Sequence, residues 1–167
     1  MNILGATISG NHADNGFGGG LYSAAAITVD NSTVSENVAS KGGGFYVASA
    51  SDATTVVRNG SSITGNTATA DGAGAYIASG NLEIDGGTVN GNQATANGGG
   101  LYMKGTDDTH KAIANFSNGS FSGNSADMAA GGVLRLFGAL HRHPAPLSEA
   151  HFRRREGRDE DRFRQRE

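Results

Sequence analysis

Three groups of side chains in this sequence have the types and spacing to do chemistry. Asp107, Asp108 and His110 place two carboxylates and an imidazole within four residues, a set able to bind a cation. Asp30 and Asp85 have Arg58 between them, a combination that general acid–base work on a polysaccharide could use. The four tyrosines, Tyr22, Tyr46, Tyr76 and Tyr102, recur at similar intervals, and a row of aromatic rings can bind sugar rings. Other signatures are missing from the sequence. There is no G-x-S-x-G, no phosphate loop with Lys and no calcium-binding G-G-x-G-x-D repeat. With no Cys, a disulfide scaffold and a cysteine-ligated metal site are excluded. No cofactor and no resident metal are expected.

Whether these groups meet depends on the elements that carry them, and those elements repeat. The frame N-x-A recurs at Asn11, Asn37, Asn66, Asn92 and Asn124, with intervals of 26, 29, 26 and 32 residues. Three positions before each Asn stands an apolar anchor: Ile8, Val34, Ile63, Val89 or Phe121. Five or six residues earlier lies another, Ile3, Val29, Val57, Ile84 or Phe116, with Gly and Asn between the two. A Gly-rich approach to an apolar–Tyr pair completes the unit, from Gly18 to Tyr22, Gly42 to Tyr46, Gly72 to Tyr76 and Gly98 to Tyr102. A fifth copy, Gly131-Gly132-Val133-Leu134-Arg135-Leu136, is expected to put Leu134 in line with Leu101 and Arg135 in the place of Tyr.

Each unit therefore reads as three short strands joined by turns. A unit this small cannot bury its own apolar side chains, but stacking units at the ~4.8 Å strand spacing sets each strand beside its copy in the next coil. Composition fits such a thin repetitive fold. Leu, Ile, Val and Phe supply only 30 of 167 residues, while 27 Gly rule out long helices. The expected fold class is all-β, a single-stranded right-handed parallel β-helix of about five coils, with inward columns of like residues. Ala13, Ala39, Ala68, Ala94 and Ala126 suit its tight corners. Length variation falls at Ser49 to Thr55 and Gly105 to Lys111, which predicts loops on one side.

The frame [FIV]-x-G-N-x-A followed by G-G-x-[LF]-Y resembles the repeat of the chlamydial-type polymorphic outer membrane proteins and their bacterial surface relatives with pectin-lyase-like β-helices. The resemblance covers residues 1–138. It implies an exported autotransporter passenger that acts in adhesion at the bacterial outer membrane surface or after secretion. The partners it implies are host or neighbour-cell proteins or surface glycans, and the chain is expected to be a fragment of a longer protein. Pectate-lyase-like enzymes on this fold use carboxylates and an Arg on an outer face, which makes a polysaccharide-binding or polysaccharide-degrading protein the alternative.

On that frame, Asp30, Arg58, Asp85 and Ser117 stack as one column, with the two Asp about 9.6 Å apart. Arg58 is expected to lower both carboxylate pKa values and leave no proton donor, so an alternating charge ladder is the better reading and no catalytic residue is assigned. Tyr22, Tyr46, Tyr76 and Tyr102 are expected to face outward, as a glycan-binding stripe or as cross-strand packing. Asn11, Asn37, Asn66, Asn92 and Asn124 are expected to form a structural amide ladder at one corner. Asp107, Asp108 and His110 read as solvated loop residues.

After residue 138 the repeat stops. Residues 139–167 hold 8 of the 10 Arg and both Pro, which predicts an Arg-rich polyampholyte tail, unstructured or weakly helical and outside the repeat fold. Its interleaved acids argue against nucleic acid as a partner. The sudden change of residue usage also predicts an end produced by a frameshift. No apolar run reaches the ~18 residues of a membrane helix, and no signal peptide is read at Met1.

Overall fold

The computed structural model describes residues 1–48, 53–105, 112–136, 140–142 and 152–154. Among them there is no helix, and every strand pairing is parallel. The strands form four sheets that wrap one axis. Sheet 1 stacks Asn2–Leu4, Thr28–Asp30, Thr54–Arg58, Asn81–Asp85, Ala114–Ser117 and Leu140–Arg142. Sheet 2 stacks Thr7–Ser9, Thr33–Ser35, Ser62–Thr64, Thr88–Asn90 and Ser120–Ser122. Sheet 3 stacks His12–Phe17, Val38–Lys41, Thr67–Ala68, Gln93–Ala94 and Ser125–Ala126. Sheet 4 stacks Leu21–Ser23, Phe45–Val47, Ala75–Ile77, Leu101–Lys104, Val133–Leu136 and Phe152–Arg154. The chain visits the sheets in that order once per coil.

Register follows the repeat. Ile3 pairs with Val29, Val29 with Val57, Val57 with Ile84 and Ile84 with Phe116. The anchors run Ile8, Val34, Ile63, Val89, Phe121 in the same way. Because side chains alternate across a strand, fixing one column inward fixes its neighbours outward. Val29, Val57, Ile84, Val34, Ile63, Val89, Phe45, Ile77, Leu101 and Met103 are buried and fill one continuous core. The alanine column on sheet 3 lets backbone approach closely there, and Ala68, Ala73 and Ala94 form a separate small cluster.

Glycine predominates where sheet 3 turns into sheet 4. Gly42 has φ 65°, and a Cβ on Gly43 would lie 2.3 Å from the Thr67 carbonyl oxygen and 2.7 Å from that of Ala73. Coils therefore come close to backbone-to-backbone contact at Gly43, and the largest side chain at the equivalent position is the methyl of Ala73.

The structure departs from the expected unit in three places. Each coil has a fourth short strand, because the N-x-A segment pairs with its copies instead of only rounding a corner. In the fifth copy Val133 pairs with Leu101 and Leu134 with Tyr102, so the expected register is one residue out and Arg135 does not replace Tyr. The cause is Ala130, which takes the left-handed backbone (φ 51°) that Gly98 has in the copy before (φ 63°). Third, Thr54–Arg58 is a strand, so the first long loop ends before Thr55. Residues 49–52 and 106–111 lie outside the described residues. Beyond residue 138, only Leu140–Arg142 and Phe152–Arg154 are described, and both pair parallel with the coil before them.

Candidate functional site

Stacking identical positions turns each outward or corner residue into a column, and the columns contain the candidate chemistry of the described residues. The asparagine column runs along the corner between sheets 2 and 3. Asn37, Asn66 and Asn92 are fully buried. Asn11 donates its backbone N–H (3.0 Å) and its Nδ2 (2.9 Å) to Asn37 Oδ1. Asn37 does the same to Asn66, Asn66 to Asn92, and Asn92 to Asn124. A second Nδ2 hydrogen bond reaches back one coil to the anchor carbonyl, as from Asn66 to Val34 at 3.0 Å and from Asn124 to Val89 at 2.7 Å. A buried amide left unpaired costs about 1–3 kcal/mol, so a corner that pairs both ends of every interior amide is a strong coil-to-coil lock. Every amide points the same way, which gives the ladder a donor end and an acceptor end.

The tyrosines lie on the outer side of sheet 4, paired in register. Tyr22 and Tyr46 stack at 5.5 Å, Tyr46 and Tyr76 at 4.8 Å, and Tyr76 and Tyr102 at 4.7 Å, all nearly parallel. The rings therefore spend their faces on one another. Tyr76 is only 5% exposed and Tyr102 only 8%, so these two offer no open platform to a sugar. Burial, with help from neighbouring tyrosines and Asp71, pushes the Tyr76 hydroxyl well above its ordinary range. Burial raises Tyr46 and Tyr102 in the same direction.

A column not singled out in the sequence helps cover them. In the first two coils the residue just before the glycine turn packs on the tyrosine of the next coil. Phe17 stacks on Tyr46 at 4.9 Å, and Lys41 Nζ sits 5.3 Å from the Tyr76 ring centroid. Asp71 bonds Asn97 Nδ2 at 2.8 Å and lies 3.7 Å from Lys41 Nζ. The signal was present as a fixed position, Phe17, Lys41, Asp71 and Asn97 before Gly18, Gly42, Gly72 and Gly98, but its varied residue types hid it.

The charged column stands on the outer side of sheet 1, with Asp30, Arg58, Asp85 and Ser117 in register. Asn59 Nδ2 (2.7 Å) and Arg58 Nε (2.9 Å) both donate to Asp30 and hold its carboxyl below the usual range, against a smaller opposing effect of burial. Asp85 is lowered too, by the Ser117 hydroxyl (2.8 Å) and Asn118 Nδ2 (3.1 Å). The column stacks as expected, but the expectation that Arg58 lowers both is corrected: Arg58 bonds Asp30, while Ser117 and Asn118 hold Asp85. Both carboxylates are ionised at neutral pH, so neither is a proton donor. Asp107, Asp108 and His110 lie outside the described residues. Among the described residues, no three His, Asp or Glu are grouped to hold a metal ion, and no helix is long and apolar enough to cross a membrane.

Parallel sheets stacked coil on coil, with inward apolar columns and a corner amide ladder, define this chain as a parallel β-solenoid of the β-helix kind. No family model matches it, and neither does any curated protein or solved structure.

Proposed function

We propose that this chain is a structural and adhesive segment of a bacterial cell-surface or secreted β-helix protein, of the kind its repeat resembles among polymorphic outer membrane proteins and pectin-lyase-like solenoids. The observation that supports this most is where its polar side chains go. Asn37, Asn66 and Asn92, Arg58 with Asp30, and Asp85 with Ser117 all bond from one coil to the next. An enzyme on this fold needs polar groups gathered in a cleft and left available to substrate, whereas here they are consumed in holding the coils together. Beads coated with the chain should adhere to cultured cells or to neighbouring bacteria above the level of beads carrying an unrelated β protein. Equal retention would defeat the adhesive reading, and release of new reducing or unsaturated ends from polygalacturonan would replace it with the enzymatic one.

A glycan-binding reading is favoured by one feature only. Phe17 (47% exposed) and Tyr22 (55% exposed) lie against the same ring, Tyr46, and leave aromatic surface open at one end of the stack. On a glycan array, any retention should vanish with Phe17→Ala and Tyr22→Ala together, while Tyr102→Phe should leave it unchanged.

A further inference from the structure

The outer face of sheet 2 departs from the rest of the molecule in what its polar side chains do. Its strands read T-I-S, T-V-S, S-I-T, T-V-N and S-F-S. The central residue of each faces the core, so alternation turns the two flanking residues outward. Register then builds two ranks. Thr7, Thr33, Ser62, Thr88 and Ser120 stand in line, and two residues further along each strand so do Ser9, Ser35, Thr64, Asn90 and Ser122. All but Asn90 carry a hydroxyl.

The fold does not use those hydroxyls. On other columns serine is bonded, as from Ser32 to the Asp30 carbonyl at 2.7 Å, from Ser61 to the Arg58 carbonyl at 2.6 Å and from Ser117 to Asp85 at 2.8 Å. Among the described residues, no Ser or Thr of the two ranks makes a hydrogen bond within the protein through its side chain, and each is at least partly exposed. Water is therefore their partner. Sheet 2 is also the only one of the four whose described strands carry no ionisable side chain, whereas Asp30, Lys41 and Lys104 lie on strands of the others. At the position after the second rank, Gly10, Gly65, Gly91 and Gly123 leave nothing standing above the plane, with Glu36 the exception.

The backbone fixes the spacing of this net. Rungs repeat at ~4.8 Å along the axis, and outward residues two apart on a strand lie about 6.6 Å from each other. Buried Val34, Ile63, Val89 and Phe121 hold the net from behind, and threonine is stiff at χ1. Hexagonal ice presents rows of oxygen at closely similar intervals in two perpendicular directions. Each hydroxyl both donates and accepts, so it can stand in for a water of that lattice. Water bridged between hydroxyls already held in place needs little further ordering of the protein. A neutral face suits ice, because an ion keeps a hydration shell that the ice lattice excludes.

We propose that the outer face of sheet 2 binds ice, holding water in register with an ice plane so that the adsorbed chain stops growth of that plane. The front then advances only by bulging between adsorbed chains, and its curvature lowers the freezing point. This inference does not depend on the adhesive reading above.

The test measures the gap between the melting and freezing points of a seeded ice crystal in solutions of the full chain, and the uptake of the chain into slowly grown ice beside an unrelated β protein. The gap should widen with concentration, and the chain should be enriched in the ice. Thr88→Lys, which sets a long charged side chain within one rank, should abolish both while circular dichroism stays that of the unmodified chain. If that variant does not fold, Ser35→Lys in the other rank takes its place. Thr95→Lys, at an exposed threonine just after the sheet 3 strand Gln93–Ala94, should leave both unchanged. A folded full chain that opens no gap or is excluded from ice overturns the proposal. So does a folded face variant that keeps full activity, or a Thr95→Lys chain that loses as much as the face variant. Neither readout involves cells or glycans, so failure here leaves the adhesive reading standing, and failure of adhesion leaves this one standing.

Discussion

The first coil and the third are built from nearly the same residues and behave as different materials. Ile8 and Ile63, Asn11 and Asn66, Tyr22 and Tyr76 occupy equivalent positions, paired through the coil between them. In the third coil all three are buried, and in the first all three are at least partly exposed. Residue type is the same, so the difference comes from having a neighbour on two sides instead of one. Stability in this molecule is a property of interfaces between coils.

The tyrosine pair should break or confirm that comparison most visibly. Tyr76→Ala removes two ring stacks and a buried ring and should cost about 3–5 kcal/mol, whereas Tyr22→Ala should cost less than about 1 kcal/mol. Equal losses in urea denaturation would mean that position along the axis does not matter. The same contrast can be read through pH. A hydroxyl whose pKa is raised on folding contributes its full stability below the unfolded value of about 10 and loses it as pH rises beyond that. The wild-type chain should therefore weaken from about pH 10 upward, and Tyr76→Phe, which keeps the stack, should weaken less steeply.

Next in size is the ladder. Asn66→Ala takes the partner from the Asn37 N–H, removes one of the two Nδ2 bonds of Asn37 and one of the two donors to Asn92 Oδ1, and ends the bond to the Val34 carbonyl; it should cost about 3 kcal/mol. Asn11→Ala should cost under about 1 kcal/mol, since Asn11 is exposed and its backbone N–H still bonds Asn37 Oδ1. A smaller change has the opposite sign. Glu36 holds φ 56° where Gly10, Gly65, Gly91 and Gly123 hold theirs in the other coils, so Glu36→Gly should stabilise by about 0.5–1 kcal/mol. Loss of stability there would show that the Glu36 side chain contributes more than its backbone costs.

The smallest effect is expected at the charged column, which is exposed and where coil stacking matters least. Both Asp30 and Asp85 have carboxyls lowered on folding, so their contribution is present above the unfolded value near 4 and fades as pH falls below it. Asp30→Asn should flatten that acid slope slightly in a pH series of urea midpoints and leave the neutral midpoint nearly unmoved.

Much of the architecture was legible because a repeat reports its own register. The anchors from Ile8 to Phe121 and the asparagines from Asn11 to Asn124 are the same few types at regular intervals, and like must stack on like. What the pattern hid was decided by backbone angle or by a neighbour remote in sequence. Ala130 adopts a glycine's φ, and counting glycines alone set Leu134 in register with Leu101, where Val133 pairs. Tyr76 reads as an outward residue by alternation, and it is outward, but Tyr46, Tyr102 and Lys41 cover it from adjacent coils. Asp85 looked like a partner for Arg58 from register alone, whereas Ser117 and Asn118 reach it at hydrogen-bond distance.

The inter-coil hydrogen bonds all run along the solenoid axis, and this decides how the molecule responds to force. A pull on the two ends of the chain loads these bonds one after another instead of all together, so the terminal coil peels while the rest stays intact. Each coil holds 26 to 32 residues within one ~4.8 Å rung and releases roughly 90–110 Å of extended chain when it opens. On a surface swept by flow, such a segment would behave as a reel that yields in discrete lengths. The asparagine corner, bonded on both sides of every interior coil, would set the resistance of each step.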